Sequence, residues 1–202
     1  ELRLLKQIIC PYCRTALKPH DVLWISEHAD LRNDQRLGED AFQRFLPTRF
    51  SPNGNAIDAR GTVCHEMACS FCHLRLARDL LEMPVFFMSI FGAPSSGKTV
   101  YLASLTHNLR QTMPLDFQIT FQDTDPQDNV RIRRNESTLF DNSNPNSPSV
   151  VGELIDKTMQ SGEEGGISLL HSVNFGNDVR QFPQPFMFTM QASDRHPMVN
   201  SQ

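Results

Sequence analysis

The most regular alternation of apolar and polar residues lies in the middle of the chain. Residues 85–91 form an almost unbroken apolar run, which predicts a strand buried on both faces. Residues 98–110 place three leucines on one face and contain no Gly or Pro, so they predict a helix, which Pro114 is expected to end. Residues 117–121 alternate and predict a strand with one face in solvent. A strand, a glycine-containing loop, a helix and a second strand are typical of the beginning of an α/β domain.

The regions on either side have weaker patterns. Residues 1–83 contain short apolar stretches and all of the cysteines. From about residue 124 onward the chain is rich in Asn, Ser, Pro, Gly and Gln, and residues 129–140 and 185–190 predict a further helix and a last strand. No internal repeat is evident. We therefore expect two regions, residues 1–83 and residues 84–202.

Composition narrows the classes of protein that fit. The net charge of −4 and the sequence pI near 6.0 exclude a protein that is basic over its whole surface, such as a nucleic-acid coat. No apolar run reaches the roughly 18 residues that a membrane-spanning helix requires, and the first residues do not have the pattern of an export signal. These properties predict a cytoplasmic protein without a membrane span.

Residues 92–99, Gly-Ala-Pro-Ser-Ser-Gly-Lys-Thr, match the phosphate-binding pattern G-x-x-x-x-G-K-[ST], known as Walker A. Glycines let the backbone turn its N–H groups toward a phosphate, and the helix that follows directs the positive end of its dipole at the anion. Lys98 would contact the β- and γ-phosphates, and Thr99 would bind Mg²⁺. An ordinary glycine-rich turn is the alternative interpretation. The predicted nucleotide-binding residues are Gly92, Ser95, Ser96, Gly97, Lys98 and Thr99.

The motifs for hydrolysis and for guanine recognition do not follow this loop. After residue 99 the sequence has neither an Asp-x-x-Gly nor an Asn-Lys-x-Asp. The Asp-x-x-Gly at residues 58–61 precedes the loop, and we interpret it as a chance match. Asp123 and Asp125 follow a predicted strand, and we interpret them as a solvated turn in preference to ligands of Mg²⁺. Catalytic residues are therefore not identified from the sequence.

The five cysteines form two Cys-x-x-Cys pairs and one single residue, Cys64. The sequence has no export signal, its number of cysteines is odd, and four of them form Cys-x-x-Cys pairs. Together these features favour a metal site over a disulfide framework. Each pair places two thiolates on one side of a tight turn, here called a knuckle, and two knuckles supply the four sulfurs of a tetrahedral structural zinc. The predicted zinc ligands are Cys10, Cys13, Cys69 and Cys72.

Other arrangements of the cysteine region remain open. Cys64 and His65 are competing ligands, with His73 and His20 as further ones, and free buried thiols or a redox pair are the alternatives to a metal. The 55 residues between the knuckles exceed the usual spacing, so we expect them to form an excursion from the zinc core. Basic residues beside the knuckles are interpreted as solvated surface, so no nucleic-acid partner is expected.

Both motifs together resemble a group of bacterial P-loop proteins of the TRAFAC-like, double-GTPase type, in which a zinc ribbon precedes the GTPase domain. The similarity rests on Cys-Pro-Tyr-Cys at residues 10–13, Cys-Ser-Phe-Cys-His-Leu at residues 69–74, and residues 92–99 followed by a Tyr-Leu-Ala sequence. Residues 182–186 resemble a strand that leads toward one carrying Asp-x-x-Gly-Glu.

The resemblance implies an architecture for each region. Residues 1–83 would be a zinc-ribbon region with a long insertion between the knuckles, and residues 84–202 a P-loop NTPase-type sheet with helices. It also implies that Thr158 is the switch I threonine, and an exposed threonine at a helix end is the alternative interpretation. Because the sequence reaches Gln202 without the Asp-x-x-Gly strand, we expect this GTPase-like domain to be incomplete.

We therefore expect a nucleotide-binding P-loop module of a GTPase-like switch, with GTP favoured over ATP, Mg²⁺ bound with the nucleotide, and a structural zinc ion. A protein partner is expected. Any enzymatic activity would be hydrolysis of a nucleoside triphosphate, and it would be weak because the groups that position the attacking water are not found. The alternatives are a zinc-stabilised protein-interaction module with a vestigial P-loop, and a P-loop ATPase or kinase.

Overall fold

The computed structural model describes residues 5–93, 95–141 and 170–193, which divide into two compact units. Unit 1 comprises residues 5–87 and 170–185, and unit 2 comprises residues 88–93, 95–141 and 186–193. The sequence predicted one boundary, between residues 83 and 84. In the structure the later segment, residues 170–185, also belongs to unit 1.

Unit 1 is built from short strands around a core that contains the cysteines. The strands are β1 (Ile8–Ile9), β2 (Ala16–Leu17), β3 (Leu23–Ile25), β4 (Arg32–Asp34), β5 (Gly38–Phe42), β6 (Arg44–Phe45), β7 (Met67–Ala68), β8 (Arg75–Leu76), β10 (Leu170–Asn174) and β11 (Val179–Pro183). The hydrophobic core contains buried apolar side chains and four of the five cysteines. These residues are Ile8, Leu17, Trp24, Met67, Leu76, Cys10, Cys64, Cys69 and Cys72. Strands this short are stabilised by such packing and not by their own pairing.

A repeated hairpin organises unit 1. Strands β1 and β2 flank the first knuckle, strands β7 and β8 flank the second, and each hairpin leads into a short 3₁₀ helix, Pro19–Asp21 or Arg78–Leu81. The two copies correspond with a constant offset of 59 residues, which separates the cysteines of one knuckle from those of the other. The expectation of no repeat was wrong because, between residues 8–21 and 67–80, only the two cysteines and one leucine are identical.

The excursion between the knuckles is part of the core. Its strand β3 lies inside a four-stranded sheet with the order β6-β3-β7-β8, and Val22, Trp24 and Ile25 are buried. Strands β4 and β5 form a separate hairpin with an irregular register between Arg32 and Asp34. The excursion therefore supplies a strand that pairs directly with the hairpin of the second knuckle.

The late hairpin β10–β11 covers the aromatic residue of each knuckle. The ring of His171 lies edge-on to Tyr12, with centroids 5.5 Å apart, and the ring of Phe175 lies 5.1 Å from Phe71. Val173, which lies between these two residues in the sequence, is fully buried. Residues 171, 173 and 175 share one face because side chains alternate along an extended chain. This face explains why residues 170–185 belong to unit 1.

Unit 2 contains two helices and one pair of strands among its described residues. They are α1 (Lys98–Asp116), β9 (Ile119–Asp123), α2 (Val130–Phe140) and β12 (Phe188–Ala192). Helix α1 packs against both α2 and β9, and β9 pairs with β12 in antiparallel fashion. The rings of Phe121 and Phe188 stack across this pair at 4.9 Å. The predicted helices and the strand that follows α1 are confirmed, with bounds that differ by a few residues.

Two predictions for the region around the loop are wrong. Residues 85–91 form no strand, and Phe86 and Phe91 are 85% and 90% exposed. A strand buried on both faces needs neighbours on both sides, and none of the described strands pairs with this segment. Pro114 lies inside α1, where it removes one hydrogen bond in the last turn, and the N–H of Phe117 closes the helix on Met113 O at 3.2 Å.

The α/β class therefore holds only in the loose sense that helices and small sheets are mixed. Every strand pair within the described ranges is antiparallel, and no P-loop-type sheet is present there. For the part of the chain that the structure describes, neither helix combines the length and the hydropathy needed to cross a membrane.

Candidate functional site

Both knuckles are closed by the same backbone hydrogen bonds. In the first, the N–H of Cys10 donates to Thr15 O at 2.9 Å and the N–H of Arg14 donates to Cys10 O at 3.0 Å. In the second, the N–H of His73 donates to Cys69 O at 2.9 Å. Arg14 and His73, which follow the last cysteine of each knuckle, have φ values of 62° and 60°. This left-handed conformation reverses the chain and completes the tight turn.

The knuckles bring four sulfur atoms together. The Sγ atoms of Cys10 and Cys72 are 3.8 Å apart, those of Cys13 and Cys69 are 3.7 Å apart, and all four lie within 4.8 Å of one another. Zn–S bonds of about 2.3 Å in a tetrahedron separate the sulfurs by about 3.8 Å. The N–H of Phe71 also lies 3.3 Å from the Sγ of Cys69. The four cysteines could therefore hold a metal ion, and an all-sulfur tetrahedral donor set fits zinc.

The crowded thiols shift one another's pKa values. Hydrogen bonding with Cys10 lowers the pKa of Cys13, and hydrogen bonding with Cys10 raises the pKa of Cys72. Four thiols this close do not all ionise together, because adjacent thiolates repel one another. A divalent cation would remove this conflict, since it binds thiolates and releases their protons.

The competing ligands lie outside this cluster. Cys64 is buried with its Sγ 3.8 Å from Oδ2 of Asp58, and burial raises the pKa of its thiol. The Nδ1 atom of His65 lies 3.0 Å from Oε1 of Glu27, and His20 faces the aspartate that follows it. None of these residues belongs to the four-cysteine group.

The fourth competing ligand, His73, contacts a carboxylate instead. Its Nδ1 lies 2.9 Å from both Oδ atoms of Asp34, whose side chain is 2% exposed. Burial raises the pKa of Asp34, but the hydrogen bonds from His73 and from backbone N–H groups outweigh it and hold this pKa below its ordinary value. Sequence reasoning missed this pair, which is 39 residues apart in the chain. Its only sequence signal is an aspartate placed before the glycine that begins β5.

Residues 92, 93 and 95–97 lie directly before α1, and each glycine of the motif has a structural cause. Gly97 has a φ of 81° and immediately precedes Lys98, the first residue of the helix. A Cβ atom on Gly92 would lie 2.7 Å from Oγ of Ser96. The Nζ of Lys98 turns back over this segment and donates to Gly92 O at 2.9 Å and to Ala93 O at 2.6 Å.

Two sources of positive potential lie at the loop that the sequence predicts to bind phosphate, residues 92–99. Ser95, Ser96 and Gly97 are exposed, and Lys98 and Thr99 are half-buried. The first turn of α1 contains no acidic residue, so nothing in that turn offsets the positive end of the helix dipole. The ammonium group of Lys98 adds one full positive charge at the same place.

Asp123 is neither a solvated turn residue nor accessible as a ligand of Mg²⁺. Its side chain is 4% exposed, and its carboxylate accepts hydrogen bonds from Arg110 Nη2 and Arg133 Nε, each at 2.6 Å, and from Asn129 Nδ2 at 2.8 Å. Arg110 also donates to Glu136 at 3.2 Å. Both sequence interpretations of Asp123 are corrected, because two arginines from different helices already hold its carboxylate.

The Asp-x-x-Gly at residues 58–61 forms a backbone turn of unit 1, which accounts for these residues without a role in nucleotide hydrolysis. Asp58 is 1% exposed, and its Oδ1 accepts the N–H groups of Arg60 and Thr62, both at 2.9 Å. Gly61 completes the turn with a φ of 88°. An aspartate that bonds the backbone two residues ahead is a frequent turn former.

The structure thus brings together the four cysteines that the sequence predicted as ligands. The predicted nucleotide-binding residues lie within residues 92–99 and are close to one another because they are close in the chain. Thr158 lies outside the described residues. Searches of protein-family models, of curated proteins and of solved structures find no match to this chain.

Proposed function

We propose that this protein is a nucleotide-binding P-loop module of a GTPase-like switch, stabilised by a structural zinc ion at its four clustered cysteines. In this proposal residues 92–99 bind the phosphates of GTP or GDP. Lys98 neutralises the phosphate charge, and the hydroxyl group of Thr99 holds Mg²⁺. The preference for guanine rests on the resemblance to double-GTPase proteins alone.

The geometry of the loop and its helix is the observation that carries the proposal. Helix α1 begins at Lys98, directly after a glycine with a φ of 81°, and the Nζ of Lys98 lies over the carbonyl groups of Gly92 and Ala93. A lysine folded over a loop at a helix N-terminus combines a point charge with the helix dipole. An entering phosphate would exchange the two carbonyl contacts of this ammonium group for stronger charge-assisted hydrogen bonds.

Zinc would have a structural role in this proposal. Four sulfur ligands complete a tetrahedron and leave no open position for water or substrate. The free energy of metal binding then adds to the free energy of folding, because the unfolded chain does not hold the four thiolates together. Unit 1 benefits most, since strands of two to five residues surround its cysteines.

Titration calorimetry with GDP, GTP and ATP in the presence of Mg²⁺ tests the proposal. Lys98→Ala should weaken binding about 10- to 100-fold, because hydrogen bonds to a charged group contribute about 1.5–3 kcal/mol. Lys18→Ala is the matched control: it removes the same charge from an exposed position in unit 1 and should leave binding unchanged.

The outcomes separate the candidate functions. An equal loss in both lysine variants would indicate nonspecific attraction of anions and would contradict the assignment of the loop. A zinc-loaded wild-type chain that binds neither a nucleotide nor inorganic phosphate would instead favour a zinc-stabilised interaction module with a vestigial loop. Tight selection of ATP would favour the ATPase or kinase class.

A further inference from the structure

Arg14 and His73 occupy the same position in the two repeated hairpins. Each directly follows the second cysteine of its knuckle, and their φ values of 62° and 60° are nearly identical. A left-handed conformation is unfavourable for residues other than Gly, Asn and Asp, so each knuckle carries local strain at this point. What differs between the two positions is the contact that the side chain makes.

The first of these side chains has a weak anchor. The guanidinium of Arg14 lies 3.6 Å from the centroid of the Phe87 ring, and Arg14 is exposed. A cation–π contact at an exposed site contributes about 0.5–1 kcal/mol.

The second anchor is buried and includes the carboxylate of Asp34. The side chains of His73 and Asp34 are 13% and 2% exposed, and the imidazole lies 2.9 Å from both carboxylate oxygens. Asp34 is itself held by three backbone N–H groups, from Arg36, Leu37 and Arg44. The carboxylate is therefore fixed before it contacts the imidazole, and this contact loses little side-chain entropy.

The backbone of His73 is held by the same segment of the chain that holds its side chain. The Nε of Arg44 donates to the carbonyl oxygen of His73 at 3.1 Å. Residues 34–44 thus hold both the side chain and the carbonyl group of the residue that follows Cys72. Opening the second knuckle breaks these contacts in addition to the hydrogen bond of the turn itself, whereas the described side-chain contact of Arg14 that opening the first knuckle breaks is the exposed one with the Phe87 ring.

We propose that Asp34, acting through His73, is a positioning residue for the metal: it keeps the turn of the second knuckle closed and slows the release of the ion. The inference rests on the zinc ion of the proposed function. Groups that hold metal ligands in place typically affect metal affinity 10- to 100-fold, although they do not touch the ion. The two knuckles then differ in strength, and metal loss begins at the first knuckle.

Zinc release into an excess of a chromophoric chelator measures this effect in the full chain. His73→Asn removes the imidazole and keeps a residue that tolerates the left-handed conformation. It should increase the release rate about tenfold. Arg14→Asn makes the same change at the equivalent position of the first knuckle, and it should increase the rate less than about threefold, the effect expected from an exposed contact.

Two further variants separate positioning from general loss of stability. Asp34→Asn should accelerate release as His73→Asn does, and the double variant should be no faster than the faster single one, because both changes remove one shared contact. Asp58→Asn alters another buried carboxylate of unit 1 that lies outside this contact. It should lower the free energy of unfolding without accelerating release.

Each outcome bears on a different claim. A wild-type chain that retains no zinc would overturn the zinc site itself. A zinc-loaded wild type whose release rate changes equally with His73→Asn and Arg14→Asn would overturn the inference and leave the zinc site intact. Acceleration by Asp58→Asn equal to that by Asp34→Asn would also overturn it, because release would then follow overall stability.

Discussion

At the scale of single residues, Gly92 and Gly97 lie in the same loop for different physical reasons. Gly97 has a φ of 81°, and a Cβ atom added there would have no neighbour within 4 Å, so only its backbone conformation requires glycine. At Gly92 the φ is ordinary, and a Cβ would lie 2.7 Å from Oγ of Ser96. Gly92 is therefore required because a side chain would not fit there without a shift of Ser96, and Gly97 because of its backbone dihedral angles.

The two alanine variants should separate these reasons. Gly97→Ala should destabilise unit 2 by about 1–2 kcal/mol, the cost of a left-handed conformation for a residue with a Cβ. Gly92→Ala forces the Ser96 hydroxyl into another rotamer, so it should change stability by less than about 0.5 kcal/mol, as surface substitutions do, while weakening phosphate binding. Urea unfolding followed by the helical signal, with a phosphate titration, provides both readouts. A greater loss of stability in Gly92→Ala than in Gly97→Ala would contradict this assignment.

At the scale of elements, the carboxylate of Asp123 connects strand β9 to both helices of unit 2. Asp123 at the end of β9 binds Arg110 of α1 and Arg133 of α2, and Glu136 of α2 binds Arg110 in turn. Unit 2 buries few large apolar side chains, and Ile132 is the only one of α1 and α2 below 2% exposure among the described residues. A charged network consequently replaces part of a hydrophobic core at the contact of α1 with α2.

The protonation of Asp123 should therefore control the stability of unit 2 in acid. Burial raises the pKa of Asp123, but hydrogen bonds from Arg110, Asn129 and Arg133 outweigh it, so the folded pKa lies below its ordinary value. A depressed pKa contributes stability that is present above the unfolded value of about 3.9 and is lost as the pH falls through the folded value. Asp123→Asn should cost about 3 kcal/mol near neutral pH, since it breaks a buried ion pair.

Urea unfolding across the acidic range measures this dependence. The difference in stability between wild type and Asp123→Asn should be constant above about pH 5 and shrink as the pH falls below about 4. Asp116→Asn, at an exposed position in the last turn of α1, is the control and should leave the profile unchanged. A difference between wild type and Asp123→Asn that persists undiminished in strong acid would show that the network does not depend on this charge.

The same scale explains which elements could be predicted from the sequence. Helix α2 carries a helical period over its 11 residues, helix α1 was predictable from three leucines at helical spacing and the absence of Gly and Pro over residues 98–110, and the four cysteines carry their own spacing. Strands of two or three residues, such as β1 and β3, are too short to show any period. The position of β10–β11 depends on contacts such as that of Arg36 with Asn174, which are 138 residues apart. Residues 85–91 were instead predicted to form a strand that the structure does not have. An apolar run predicts burial, but it does not specify which strands would lie beside it.

At the scale of the whole molecule, the two units carry separate spectroscopic reporters. Trp24, the one tryptophan of the sequence, is buried in β3 of unit 1, with its ring 6.4 Å from that of Phe50. Both α-helices of the described residues belong to unit 2. Tryptophan emission therefore reports on the core around the cysteines, and the helical signal in circular dichroism reports mainly on α1 and α2.

Removal of zinc should act on these two signals unequally. Structural zinc contributes about 10–16 kcal/mol in small metal-dependent folds, which equals or exceeds the typical total stability of a domain, about 5–15 kcal/mol. A strong chelator should therefore shift the emission of Trp24 to the red, and unfolding followed by this emission should no longer show a cooperative transition. The helical signal should fall by less than about a third, because the pairing of α1 with α2 does not involve the cysteines. Adding zinc back should restore the emission. An unchanged Trp24 spectrum in zinc-free protein would mean that the core is stable without metal, and a parallel loss of both signals would mean that the units unfold as one.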